Sequence, residues 1–168
     1  MRVLSIDPAL RKTGYAVVEQ TGPKSYRALT YGVIHNKPKV LQSRCLVAIR
    51  QALVDVISEF QPTCCSIEST IYVQSFRTAI VLGAARGAAL VAAAEAGLPI
   101  HEYAPRRVKQ AVVGRGGADK QQVAFMIRAL LGLTETPSPD AADALAIGLA
   151  HLYAHDPLRP MMSSDGEI

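Results

Sequence analysis

The hydrophobic period of this chain changes near residue 41, and that change limits what the chain can fold into. Before it, apolar residues fall in short strand-like runs; after it, helical segments set in with only short strand-like runs between them. Val3-Leu4-Ser5-Ile6 is a short apolar run ending at Asp7. Thr13 to Glu19 reads as a second strand, after a turn holding Pro8, and Tyr26 to Ile34 as a looser third. Short connections between three such strands predict an antiparallel meander. Leu41, Cys45, Leu46, Ile49, Leu53, Val56, Ile57 and Phe60 then mark an amphipathic helix, stopped by Pro62. Thr63 to Glu68 is too short for a helix and reads as a buried strand. A long helix of small residues spans about 74–96, ended by Gly97 and Pro99, and Ile100 to Tyr103 is a fifth strand. Pro105 opens a helix from about Arg106 to Val112, and others follow from Ala118 to Leu131 and from Pro139 to about Tyr153, with Ser138 as the N-cap of the last. This order predicts an α/β fold, a mixed five-stranded sheet with helices on both faces. It forms a single domain over 1–154. Residues 155–168 lack periodicity, hold two prolines, and are expected to form a mobile tail.

With 49% hydrophobic residues and a net charge of +4, intrinsic disorder is excluded for the bulk of the chain. No apolar run reaches the roughly 18 residues of a membrane helix. The best candidate starts near Ala79 and is cut by Arg86 and Glu95. Asp7 interrupts the N-terminal apolar stretch too early for a signal peptide, so a cytoplasmic protein is expected. Three cysteines cannot all pair within the chain, and no C-x-x-C or Cys/His cluster stands at zinc spacing. They read as reduced core residues. The four histidines are assigned structural or surface roles, His151 beside the terminal carbonyls of the last helix. A pI near 9.1 permits a nucleic-acid partner without requiring one.

Four acids stand out by context. Asp7 ends the first strand and Glu68 the fourth, and ligand chemistry in α/β sheets gathers at the carboxyl ends of strands. Asp140 and Asp143 lie three apart, on one face of a last helix that is otherwise apolar nearly all round. An ionised carboxylate in such a helix is costly unless it is paired or binds a cation. Each acid alone has an ordinary explanation: a turn former, a strand end, a favourable helix-dipole charge. Together they point to a metal site of hard oxygen ligands, which selects Mg²⁺, or Mn²⁺ in its place, over zinc. Two such ions about 4 Å apart bind the attacking and leaving oxygens of a phosphoryl displacement, with no side-chain nucleophile. No Ser-His-Asp or Cys-His set rivals this reading.

The segments Ser5-Ile6-Asp7-Pro8, Thr13-Gly14-Tyr15 and Ser66-Ile67-Glu68 resemble those of the RuvC family, the bacterial Holliday-junction resolvases. So do Leu82 to Gly87, Val108 to Gly114 and Asp140 to Ala146, in order, over roughly residues 1 to 153. The resemblance implies a ribonuclease H-like fold, a homodimer with two active sites, and Mg²⁺-dependent paired incision of a four-way DNA junction, with two ions per site. It assigns Asp7, Glu68, Asp140 and Asp143 as catalytic metal ligands, and places Lys109 and Lys120 near DNA and the active site. It also implies the RuvA and RuvB branch-migration proteins as partners. The chain departs from the family twice: Ala9 replaces the usual Gly after Asp-Pro, and Ile71, followed by Tyr72, replaces the usual Phe three residues after Glu68. In the family that loop enters the junction centre and stacks on a base, so Ile71 and Tyr72 are expected to contact DNA there.

Basic residues supply the remaining expectations. Gly114 to Lys120 precedes a helix whose N-terminal N–H groups suit a DNA phosphate, with Arg115 and Lys120 beside it. Arg106, Arg107 and Lys109 fit backbone neutralisation on the adjacent helix, and Arg77 opens the long one. Gly83 and Gly87, four apart like Ala84 and Ala88, allow close approach either to the protein's own sheet or to a second copy. Two other classes compete with the resolvase: a junction-binding module without nuclease activity, against which the intact acids argue, and another ribonuclease H-like enzyme, such as an RNA nuclease.

Overall fold

The computed structural model describes residues 1–69, 75–157 and 166–168. Strands β1 (Arg2–Asp7), β2 (Lys12–Gly22) and β3 (Ser25–His35) form the expected antiparallel meander. Strand β4 (Cys64–Glu68) lies parallel to β1, and β5 (Ile100–Tyr103) parallel to β4. A two-residue β6 (Gly166–Glu167) pairs antiparallel with β5, giving the order β3-β2-β1-β4-β5-β6. The sheet thus has six strands, not five. Two residues carry no period to read, and what places them is the otherwise open edge of β5. Within the expected tail, Asp156 is also buried and accepts a hydrogen bond from the Tyr26 hydroxyl.

Alternation along β1 and β4 divides the core. Leu4, Ile6, Cys65 and Ile67 face helices α1 (Gln42–Phe60) and α2 (Phe76–Glu95). Val3 and Cys64 face the other layer, made by α3 (Pro105–Val113), α4 (Lys120–Leu131) and α5 (Pro139–Ala154). By the same alternation Ser5, Ser66, Asp7 and Glu68 point toward α5. Cys64 and Cys65 lie on opposite faces as predicted, and all three cysteines are free and buried.

α5 lies against β1 and β2 because glycines clear its path at both ends. A Cβ on Gly148 would stand 2.8 Å from Ser5 Oγ and 3.0 Å from Val18 Cγ2. On the strand side, a Cβ on Gly14 would overlap the carbonyl of Asp140. The helix is buried over nearly its whole surface, as its composition requires.

The start of α4 differs from the sequence reading, and that of α5 agrees with it. α4 begins at Lys120, not Ala118, because Asp119 caps it: its side chain accepts from Gln122 N while the Gln122 side chain accepts from Asp119 N, a reciprocal capping box. Ser138 occupies the N-cap position of α5 but its side chain makes no capping hydrogen bond. The hydropathy reading is corrected too. α2 is long and apolar enough to cross a membrane, with a mean hydropathy of 1.4 over its best window. Its place in the fold gives that composition another use: Ala85, Ala89, Ala92 and Ala93 are buried in the core, and Arg86 is ion-paired with Glu102 on β5.

Candidate active site

Asp7 and Glu68 are neighbours because β1 and β4 are parallel and in register. Ser5 pairs with Ser66 and Ile6 with Ile67, so the next residues along leave the sheet side by side on the α5 face. Gly14 is opposite Asp7 in the β1–β2 register, and the Asp140 backbone rests on Gly14. The first turn of α5 is thereby set over the end of β1, and Asp143, one turn on, joins the group. All four acids are partly buried.

Their electrostatics reflect that crowding. Burial, then the charges of Glu68 and Asp143, push the Asp7 carboxyl up to about 8. Burial, then Asp143, push Glu68 up to about 7. Burial also raises Asp143, against the opposing pull of Lys120. Two lysines answer this charge. Lys120, at the first position of α4, places its Nζ 3.4 Å from Asp143 Oδ2, and the Asp143 charge holds the ammonium above its ordinary value. Lys109, on α3, lowers both Glu68 and Asp143. Four carboxylates against two ammonium groups leave the cluster short of positive charge, and protons make up the shortfall near neutral pH. An all-oxygen donor set in that condition fits hard divalent cations, and it lacks the nitrogen or sulfur donors that zinc prefers.

Without divalent ion, folded Asp7 keeps its proton up to about pH 8, whereas the unfolded carboxyl loses it near 3.8. The folded state then binds more protons across that window, so stability falls as pH rises from about 4 to about 8 and levels above it. With solvent screening the loss is on the order of 2 kcal/mol, roughly 4–8 °C in Tm for a chain of this size. Thermal melts in chelator at pH 5 and pH 8 measure it, and Asp7→Asn is expected to flatten the slope. Equal slopes in parent and variant would contradict the assigned environment of Asp7.

The remaining candidates divide. Lys109 and Lys120 belong to the acid cluster. Arg106 and Arg115 are exposed, at the start of α3 and just past its left-handed C-cap Gly114. The intervening loop folds back, with Gly116 set against the Arg106 carbonyl. The N–H groups expected to await a phosphate at α4 are partly taken by Asp119, so Lys120, not the helix end, is the cationic feature there. Arg77 lies on the first turn of α2 and shares an open hollow with Ala9 and Leu10, next to the Asp7 turn. Ile71 and Tyr72 lie outside the described residues. Sequence reasoning missed a group at the far end of α5, where His101, His151 and His155 converge. His151 does not face terminal carbonyls; it is buried, and burial lowers its imidazole to about 3. The i, i+4 spacing of His151 and His155 was the available signal; the partner strand residue, fifty positions away, gave none.

The family model described as crossover junction endodeoxyribonuclease RuvC matches residues 3–151. The RuvC of Akkermansia muciniphila is 57% identical over 162 residues, 96% of each chain. That of Desulforamulus reducens is 43% identical over 90% of this chain and 93% of its own. The structure of Thermus thermophilus RuvC in complex with Holliday junction substrate superposes with a TM-score of 0.87 at 37% identity, covering 95% of this chain and 97% of that one. A yeast mitochondrial Holliday junction resolvase, 13% identical with a TM-score of 0.61, shares the fold alone. The meander, the parallel β1–β4–β5 and the acid-bearing α5 form a ribonuclease H-like architecture, and the chain belongs to the RuvC family of crossover junction endodeoxyribonucleases.

Proposed function

We propose that this protein is a structure-selective endonuclease that resolves four-way (Holliday) DNA junctions by paired symmetric nicks in recombination and repair. The observation that carries the reading is the convergence of Asp7, Glu68, Asp140 and Asp143 at the carboxyl ends of β1 and β4, under-neutralised and partly buried. Those four side chains would hold two Mg²⁺ ions, which when bound activate the attacking water and stabilise the leaving 3′ oxygen. Lys120 screens Asp143 and, with two-thirds of its side chain exposed, can turn its ammonium to a phosphate. Lys109, Arg106, Arg115 and Arg77 add positive charge around the acids for the DNA backbone, which sets position and not sequence. Ile71 and Tyr72 are assigned to the junction centre from the family resemblance, as are the RuvA and RuvB partners. The free cysteines fit a reducing, cytoplasmic setting.

A synthetic mobile four-way junction, a matched linear duplex and an RNA stem, each with Mg²⁺ or chelator, test the reading. Paired nicks in the junction alone, and only with metal, are expected. Tight junction binding without nicks in Mg²⁺ or Mn²⁺ would favour the binding module, and cutting of the RNA stem the RNA nuclease.

A junction presents two strands for symmetric cutting, and a two-fold dimer suits it. α2 supports the same reading. Its outer face leaves Phe76 at 92% exposure and Ile80 at 70%, and a Cβ on Gly83 or Gly87 would meet nothing within 4 Å among the described residues. The Gly83–Gly87 stripe therefore supports a contact with a second copy, while Ala85, Ala88 and Ala89 pack on the protein's own core. Ile80→Glu is expected to convert a dimer to a monomer by light scattering and to uncouple the paired nicks. A dimer that survives the substitution would move the interface off this helix.

A further inference from the structure

We propose that His101, His151 and His155 form a second metal site, for a zinc-type divalent ion, at the opposite end of α5 from the acids. The alternation that aims Glu68 at α5 also aims Tyr103 and His101 there, since His101 pairs with Ser66 and Tyr103 with Glu68. His151 and His155, one turn apart, come to meet them. One ligand-capable atom of each histidine lies within 4.8 Å of the others, with ring centroids 4.2 to 5.6 Å apart. Asp140 and His151 are eleven residues apart on the helix, about 16 Å at 1.5 Å per residue, so the two sites are separate.

The hydrogen bonds leave nitrogen lone pairs available. His155 Nδ1 sits 2.9 Å from the His151 carbonyl, and as that oxygen only accepts, Nδ1 carries the proton and Nε2 the lone pair. Metal-ligating histidines typically donate their other ring N–H to such a carbonyl. His151 Nδ1 contacts the Tyr103 hydroxyl at 2.9 Å, and its Nε2 contacts the Cys64 thiol at 3.4 Å. The thiol is the weaker partner, so the hydroxyl can hold Nδ1–H while Nε2 is released. Among the described residues, His101 Nδ1 is buried with no hydrogen-bond partner, a state that costs free energy and that a bound cation relieves. Three imidazoles suit zinc and its neighbours over Mg²⁺ and leave a fourth position open. Glu167, the register partner of His101 on β6, supplies a nearby negative charge. An ion here would join the end of α5 to β5, and none of this rests on the nuclease reading.

The test uses the full chain, stripped with chelator and titrated with Zn²⁺ in excess Mg²⁺ against a chromophoric competitor. One Zn²⁺ per chain is expected in the parent and in Asp143→Asn. His155→Ala removes an exposed ligand with little risk to folding, and His101→Gln keeps a polar group on β5. Each should weaken zinc binding by more than the roughly 10–100-fold lost when a group that only hydrogen-bonds a ligand is removed, with Mg²⁺-dependent junction cleavage unchanged. Substituting Co²⁺ should give the visible bands of a low-coordinate nitrogen site in the parent and lose them in both histidine variants. No zinc bound in the parent, binding unchanged in the histidine variants, or binding lost in Asp143→Asn would each overturn the proposal.

Discussion

Asp143→Asn is expected to lower junction cleavage about 10³-fold or more while junction affinity changes by only a few-fold. The substitution is isosteric and removes one charged oxygen from a site that the proposed mechanism fills with cations. Losing a metal ligand costs several kcal/mol of transition-state stabilisation, and about 4 kcal/mol corresponds to 10³ in rate. Binding rests on other groups. Arg106, Arg115 and Arg77 are exposed, and Lys120 is freed from its contact with Asp143 Oδ2. Phosphate contacts of this kind dominate affinity and weaken with salt. The fold should also tolerate the change, because burial already disfavours the charge on Asp143. Single-turnover cleavage and junction binding, measured on the same preparation across a Mg²⁺ series, separate the two effects. Cleavage within tenfold of the parent would remove Asp143 from the site. Equal loss of binding and cleavage would make it a DNA-positioning residue.

The acid site was legible in the sequence for a physical reason. Asp7 and Glu68 each stop an apolar run, and Asp143 interrupts a helix with no solvent face, so each breaks a local rule that burial enforces. Period, together with proline and glycine stops and capping residues, located the meander, the helices and the order of their connections. What stayed hidden depends on partners distant in sequence. The strand at Gly166–Glu167 exists only because β5 presents an open edge, and the histidine cluster only because His101 on β5 meets a helix turn fifty residues later. The capping box at Asp119 was a local signal, Asp followed three residues on by Gln, overshadowed by the glycines before it. The open face of α2 was undecidable from sequence, because small residues suit both a buried contact with the sheet and a contact with a second chain.

Gly14→Ala is expected to damage stability and cleavage together, which distinguishes it from every acid substitution. The backbone at Gly14 does not require glycine, since its φ is not among the positive values of the chain. Space requires it: an added Cβ would overlap the Asp140 carbonyl and stand 3.4 Å from Ala144 Cβ. Both partners belong to α5, whose far end is fixed by Gly148 against Ser5 and Val18. The helix cannot slide away as a unit, so its first turn must lift or β2 must bend. Overpacking costs about 1–3 kcal/mol, and contact with backbone atoms places this case near the upper limit, roughly 6–12 °C in Tm. A lifted first turn carries Asp140 and Asp143 away from Asp7 and Glu68, and a misplacement near 1 Å costs on the order of 10² in rate. Gly22→Ala provides the control, because its Cβ would meet only Ser25 Cβ at 3.9 Å. Calorimetry and single-turnover cleavage on the two variants should diverge sharply. A Gly14→Ala protein with parental Tm and parental rate would mean that the seating of α5 on β2 does not set the geometry of the acids.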